Sequence, residues 1–259
     1  MKPAGSVTYQ RFDVLDGLAA LQAEGYQNTF APHSHETYQI TLVETGLFTN
    51  QISGRSVCGW PDSLVITHPG EVHSTVCDQP AGISFFTLYV SPDLFKHRNQ
   101  GMAPRFDPVI HNHSVATSLR QIKHHGSANT DTLVRQVSHL LDQLLTEQLH
   151  DEVQHTDHAW LTDQLFDRIE QPFNLKHTAK LTGISEYKLI RLCKAETGMT
   201  PVQFVINQRI LNSQQLLRQG TPIAEVAQDC GFYDAAHFHR HFKKLTGLTP
   251  ASFQRPWLS

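Results

Sequence analysis

Two different periods of apolar and polar residues divide the chain. Between residues 26 and 90, short apolar or alternating runs are separated by turn residues, which is the pattern of β-strands. Strands are predicted at Tyr38 to Val43, Leu47 to Ile52, Ser63 to Thr67, and through the run Ile83 to Val90. Gly46, Ser53-Gly54-Arg55 and Pro69-Gly70 supply the breaks and turns between them. Short strands at this spacing imply a sandwich or barrel. After about residue 112 the period becomes helical. Leu133, Val137, Leu140, Leu141, Leu144, Leu145 and Leu149 then fall on one helical stripe, which needs a partner surface. The chain's own barrel or the same helix of a second copy would serve, and residues 113–149 are expected to act in dimerisation. His150 to Ala159 is polar and unpatterned and reads as a linker; from Trp160 onward the helical period returns.

Composition narrows the class. A chain of 259 residues is long enough for two domains, each with a core that needs neither disulfides nor metal. No long apolar run or signal-like N-terminus stands out, so a cytoplasmic protein without a membrane span is expected. Cys58, Cys77, Cys193 and Cys230 are widely spaced and form no C-x-x-C pair, which suits reduced thiols. The net charge of −3 conceals an asymmetry. Residues 160–259 hold 12 Lys and Arg against 8 Asp and Glu, leaving 9 against 16 for the rest. A C-terminal part at +4 beside a remainder at −7 suits a polyanionic partner, and equally an ordinary solvated surface.

The C-terminal part contains a duplication. "LTGISEYKLIRLCKAETGMTPVQF" and "DCGFYDAAHFHRHFKKLTGLTPASF" each run from a glycine through a helix bearing Arg191 or Arg240 to Thr-Gly-x-Thr-Pro. Each copy fits a helix-turn-helix: a short helix ends at Gly183 or Gly231, and Ser185 or Asp234 caps the next. Leu189 and Leu192, or Phe238 and Phe242, should face the core. The other side keeps Tyr187, Lys188, Arg191 and Lys194 in the first copy, and Ala236, His237, Arg240, His241 and Lys244 in the second. Guanidinium and ammonium groups on an exposed helix suit the phosphates and purine edges of a major groove.

These residues, together with Arg209, Leu216-Leu217, Ile223-Ala224-Glu225-Val226-Ala227 and Gly231-Phe232, resemble the AraC/XylS family of bacterial transcription regulators. The resemblance implies two helix-turn-helix units joined by a long helix, here Phe204 to Arg218, with their second helices in successive major-groove segments. It implies that Tyr187, Arg191, Ala236 and Arg240 are the base-side positions, with Lys188, Lys194 and Lys244 nearer phosphates. Departures include Cys193 in place of the usual Phe, Ser213 in place of a small Ala, and Ala236-His237 where Ser-Tyr is common. Ile190 stands where a polar reader is frequent. His237 and His241 lie one turn apart but lack the intervening Glu of an H-E-x-x-H zinc motif, so DNA contact or solvent exposure is preferred.

The same resemblance makes the N-terminal part a small-molecule sensor. "PHSHETYQITLVETG" and "WPDSLVITHPGEVH" look like the two halves of a cupin-type ligand-binding domain. In a regular strand side chains alternate, so His33, His35, Thr37, Gln39 and Thr41 share one face, which is expected to line the barrel lumen. His73 from the second half would join them, as metal ligands do in cupin enzymes. Gln39 replaces the carboxylate of those enzymes, and a neutral amide brings no charge to offset a cation. His33, His35, Gln39 and His73 are therefore assigned to a polar effector, with a metal held by the three histidines as the alternative and no catalytic residues expected. Arg55 and Glu71 are candidates for charged ligand groups, and turn-side surface positions are the plainer reading.

The expected fold is β plus all-α: a cupin-like β-barrel over 1–112, helices over 113–149, a linker over 150–159, and an all-α double helix-turn-helix domain over 160–259. The expected function is effector-controlled, sequence-specific binding of double-stranded DNA by a homodimer. A metal-dependent cupin enzyme with an appended helical domain is the rival, and Gln39 and the duplication count against it. A DNA-binding protein whose barrel only dimerises is a third possibility.

Overall fold

In the computed structural model the described residues are all but 1–4, 13–14, 16–17, 53–54, 78, 126–129, 150–168, 170–172 and 259. They gather into two units. The linker assigned to residues 150–159 lies outside the described residues.

The first unit comprises Met1–Thr29, His35–Glu71 and Thr75–Glu152. Its strands are β1 (Ser6–Arg11), β2 (Ala19–Tyr26), β3 (Tyr38–Thr45), β4 (Phe48–Ile52), β5 (Arg55–Gly59), β6 (Leu64–Thr67), β7 (His73–Val76), β8 (Ile83–Val90), β9 (Arg105–Phe106), β10 (Val109–Ile110) and β11 (Gln148–Leu149). Thr75 and Val76 are the β7 residues that belong to this unit. An antiparallel sheet of six runs β1-β2-β8-β3-β6-β10, a sheet of three runs β5-β4-β7, and β9 pairs with β11. Helices α1 (Pro92–Lys96), α2 (His113–His125) and α3 (Thr130–Leu145) follow the β8 strand.

Strand β3 sits at the centre of the six-stranded sheet, with Ile40 opposite both Ile66 and Leu88. Its alternation separates two environments. Tyr38, Ile40 and Leu42 join Leu64, Ile66, Phe86, Leu88 and Val90 in an apolar cluster completed by Val115, Leu119 and Ile122 of α2 and by α3. Gln39 and Thr41 point the other way and are buried among polar groups. The Tyr38 hydroxyl still finds a partner at the edge of the apolar side, donating to the Pro104 carbonyl at 2.6 Å.

This packing corrects the expected role of the leucine stripe. Leu133, Val137, Leu140, Leu141 and Leu144 are buried in the core of their own unit, so that face offers nothing to a second copy. The helix also stops at Leu145, and Leu149 lies in β11 opposite Arg105. An apolar stripe reports only that something covers it; a nearby sheet face of matching character does so here.

The second unit comprises Phe30–Ser34, Val72–Ser74 and Val153–Ser259. Its helices are α4 (Leu175–Thr182), α5 (Glu186–Thr197), α6 (Pro201–Arg218), α7 (Ile223–Asp229), α8 (Ala235–Thr246) and α9 (Pro250–Gln254), with a 3₁₀ turn at Arg255–Trp257. The duplication is visible atom by atom. Ser185 caps α5 and Asp234 caps α8, each accepting from the backbone N–H three residues on. Gly198 and Gly247 end these helices at φ of 70° and 76°, a conformation that a side chain would strain. The Thr197 and Thr246 hydroxyls donate back to the carbonyls of Cys193 and Phe242, at 2.7 and 2.8 Å. Thr200 and Thr249 then cap the following helices, each with proline at the first turn.

Buried positions repeat too: Leu189 with Phe238, Cys193 with Phe242, Met199 with Leu248, and Phe204 with Phe253. Cys193 takes the fully buried place that matches Phe242, and Leu192, expected to face the core, is half-buried and packs against the same cluster. Helix α6 joins the copies and carries two buried polar side chains. Arg209 donates from Nε to the Ile169 carbonyl at 2.6 Å and stands 5.9 Å from the Phe232 ring. Asn207 exchanges hydrogen bonds with Ser34 of the same unit, 3.1 Å from its backbone N–H and 3.0 Å to its hydroxyl.

A charged substitution on the α3 stripe should therefore unfold the first unit instead of releasing soluble monomers. Leu140→Ala is expected to cost about 2–5 kcal/mol, and Leu140→Glu more, in urea or thermal unfolding; a well-folded Leu140→Glu protein would contradict this placement.

Candidate DNA interface and effector site

The residues on α5 and α8 that repeat in position define one chemical surface. Tyr187 is 76% exposed, and Lys188, Arg191 and Lys194 are exposed along the same helix. On α8, Ala236, Arg240 and Lys244 are exposed. Capping orients both: the first free N–H groups of each helix are held by Ser185 or Asp234, so the side chains of the first two turns project from a fixed start. Helix α8 adds Lys243 and His239 to the exposed set. Neither was singled out from the sequence, although aligning Ser185 with Asp234 pairs Lys194 with Lys243 and Ile190 with His239.

His237 is half-buried, its ring edge-on to Phe232 at 5.7 Å and to His241 at 4.5 Å. Its Nδ1 is buried without a hydrogen-bond partner among the described residues. His241 is held below the usual imidazole pKa by burial first, then by His237, Lys244 and Arg240 nearby.

In the first unit, the polar face of the six-stranded sheet, with β4 and β7 of the three-stranded sheet, carries two sets of side-chain hydrogen bonds. His35 Nδ1 is 2.7 Å from the Thr37 carbonyl, and its Nε2 is 2.8 Å from the Gln39 amide. Gln39 reaches Thr41 at 3.4 Å, and Thr41 meets Thr87 at 2.9 Å. Asn50 of β4 donates to Thr67 at 3.3 Å and accepts from Thr75 at 3.5 Å. The Tyr89 ring stands edge-on to His35 at 5.7 Å and 6.5 Å from Tyr9. Gln39, Thr41, Asn50, Thr67, Thr75 and Thr87 are all buried.

None of these groups is charged at neutral pH. Burial lowers the His35 pKa, only partly opposed by its hydrogen bonds to Gln39 and Thr37 and by the Glu71 charge. A neutral ring donating from Nδ1 to Thr37 leaves a lone pair at Nε2, which stands 2.8 Å from Gln39 Oε1; a reversed amide would place its NH₂ there instead. Glu71 is engaged elsewhere, accepting from the His68 backbone N–H at 3.0 Å and lying 3.2 Å from His68 Nδ1. Burial would raise its pKa, but these contacts outweigh it and lower it. His68 Nε2 in turn accepts from the Phe106 N–H at 3.0 Å. Arg55 is exposed at the start of β5.

The four effector candidates separate into two pairs. His35 and Gln39 belong to the polar face just described. His33 and His73 belong to the second unit and pair with each other, exchanging backbone hydrogen bonds of 3.0 and 2.9 Å with their rings 4.3 Å apart. The alternation expected from His33 onward fails because regular strand begins only at Tyr38. Among the described residues no three His, Cys, Asp or Glu side chains are arranged to hold a metal ion.

Comparisons with known proteins agree with this two-part construction. An AraC-like ligand-binding domain matches residues 17–160, and a helix-turn-helix domain matches residues 178–256. The chain belongs to the AraC family of transcription regulators, joining a ligand-binding domain to a helix-turn-helix DNA-binding domain. It is 26% identical over 259 aligned positions to the arabinose operon regulatory protein of Escherichia coli K12, covering 92% of this chain and 88% of that one. The transcriptional activator RhaR of Cronobacter sakazakii is 37% identical over 90 residues, a local match to 34% of this chain and 32% of RhaR. Among solved structures, apo ToxT of Vibrio cholerae shares the fold, with TM-score 0.59 and 12% identity over 93% of this chain and 98% of that one. No helix among the described residues is long and apolar enough to cross a membrane.

Because His35 is kept neutral when folded, the unfolded chain takes up its proton first as pH falls below the ordinary imidazole pKa of 6.5. Its contribution to stability is full above that pH and is lost as pH drops through the lowered folded value. The melting temperature should fall between pH 7.5 and 5.5 (about two units spanning the titration), and His35→Gln should flatten that fall. An equal slope in the variant would refute the assignment.

Proposed function

We propose that this regulator is switched by an uncharged, hydrogen-bonding small molecule that binds against the polar face of the six-stranded sheet. The observation that carries this is the set Gln39, Thr41, Asn50, Thr67, Thr75 and Thr87, buried, all hydroxyl or amide, with neutral His35 at one end. A ligand hydroxyl can replace each of these hydrogen bonds one for one. A carboxylate or ammonium would meet no counter-charge in this set and would pay a desolvation penalty of roughly several kcal/mol. Tyr89 and Tyr9 add aromatic surface for the apolar faces of such a molecule.

In this reading α5 and α8 are the DNA-reading helices. Tyr187, Arg191, Ala236 and Arg240 lie toward bases, and Lys188, Lys194 and Lys244 toward phosphates. The effector biases two arrangements of the chain by binding one more tightly than the other. No metal and no catalytic step enters the mechanism, and it operates in the cytoplasm, where the DNA is. A homodimer would couple two pairs of readers and raise operator affinity through effective concentration, using a surface other than the buried stripe of α3.

Two measurements test this. In thermal shift assays, neutral polyols and sugars should raise the melting temperature where acids of similar size do not, and Gln39→Leu with Thr87→Val should abolish the shift. A solved ToxT structure is described as bound to an unsaturated fatty acid; a shift here from fatty acids alone would overturn the uncharged-effector reading. For DNA, Arg191→Ala or Arg240→Ala should weaken operator binding by roughly 5- to 100-fold with lost sequence discrimination. Lys194→Ala should weaken all sequences alike and lower the salt dependence by about one counterion.

A further inference from the structure

The two readers share a frame but not a chemistry. With Ser185 aligned on Asp234, Arg191 falls on Arg240 and Lys194 on Lys243, and all four are exposed. These matched positions give both helices the same means of holding a purine edge and a phosphate. The positions just before each arginine differ. Helix α5 presents Tyr187, 76% exposed, and half-buried Ile190, whereas α8 presents Ala236 and His239, both exposed. An aromatic ring and a branched alkyl group offer no hydrogen-bond acceptor or donor to a base edge apart from the Tyr hydroxyl at the tip. What they do offer is apolar surface, and the apolar feature of the major groove is the thymine methyl. On α8, alanine removes that bulk and lets the groove floor approach, while an exposed imidazole supplies an N–H donor one residue from Arg240.

We propose that the readers select different bases. Helix α5 recognises thymine through Tyr187 and Ile190, and His239 on α8 is a specificity-determining residue that donates to guanine N7 beside the guanine held by Arg240. The operator is then two unlike elements, one with a thymine methyl in contact and one with adjacent guanines. His237 and His241 are assigned no base: their rings meet edge to face at 4.5 Å, and Phe232 lies edge-on to His237 at 5.7 Å. The inference rests on α5 and α8 being the reading helices.

The test begins with duplexes selected from a random pool by the full-length protein. In the selected duplex each thymine is replaced singly by deoxyuracil, which lacks the methyl, and each guanine by 7-deazaguanine, which lacks the N7 acceptor. Wild-type protein should lose roughly three- to tenfold in affinity for uracil in one element only, and about tenfold for 7-deazaguanine at two positions of the other. Tyr187→Ala should erase the uracil penalty. His239→Ala should erase one 7-deazaguanine penalty and leave the other, which Arg240→Ala removes. Unchanged melting temperatures would establish that these surface variants are folded. Two identical selected elements, a full uracil penalty in Tyr187→Ala, or both 7-deazaguanine penalties persisting in His239→Ala would each overturn the proposal. If Arg191→Ala and Arg240→Ala bound DNA like wild type, the assignment of the reading helices itself would fall; loss of binding there with unchanged analogue penalties would sink only the base preferences.

Discussion

The two-residue alternation of β3 is the constraint on which the first unit depends. One side of the strand commits Tyr38, Ile40 and Leu42 to the apolar cluster under α2 and α3, and a shift of one residue would turn that side outward. The same alternation commits Gln39 and Thr41 to the opposite face, where they must find hydrogen bonds because they are buried. Apolar core and buried polar surface are therefore two sides of one strand. The demand for an apolar cover takes up the leucine stripe of α3, and the demand for polar satisfaction produces the chain of amides and hydroxyls from His35 to Thr87.

In the second unit the comparable constraint is the pair of capped helices. Ser185 and Asp234 hold their starts, Gly198 and Gly247 their ends, and threonine hydroxyls bind the glycine turns from within. Buried side chains differ in size between copies, as Cys193 and Phe242 do, without altering this frame. Outward side chains are free of it, so Tyr187 and Ile190 in one copy can diverge from Ala236 and His239 in the other. A duplicated scaffold carries one frame and two different sets of outward side chains.

Much of this was legible in the residues because it depends on short-range rules. Strands β3, β4, β6 and β8 lie within a residue or two of where alternation and turn residues put them. Both helix-turn-helix units follow from caps and glycines that act over three or four residues. Strands β1 and β2 were not foreseen: β1 alternates only between exposed and half-buried positions and buries no residue fully, and β2 mixes buried, half-buried and exposed residues without a clean period. The histidines misled for a similar reason: a His-x-His spacing puts two rings on one face only in regular strand, and the strand starts at Tyr38, after both of them.

What the sequence by itself determined is the class of each part, a β-sheet sensor and a duplicated helical reader, since periodicity, capping and repeat are properties of neighbouring residues. The tertiary structure alone decided what covers what. The α3 stripe is buried by its own sheet, His33 pairs with His73, and His237 is half-buried while His239 is exposed. A stripe or a spacing states that a side chain needs a partner, and only the arrangement of distant segments supplies one.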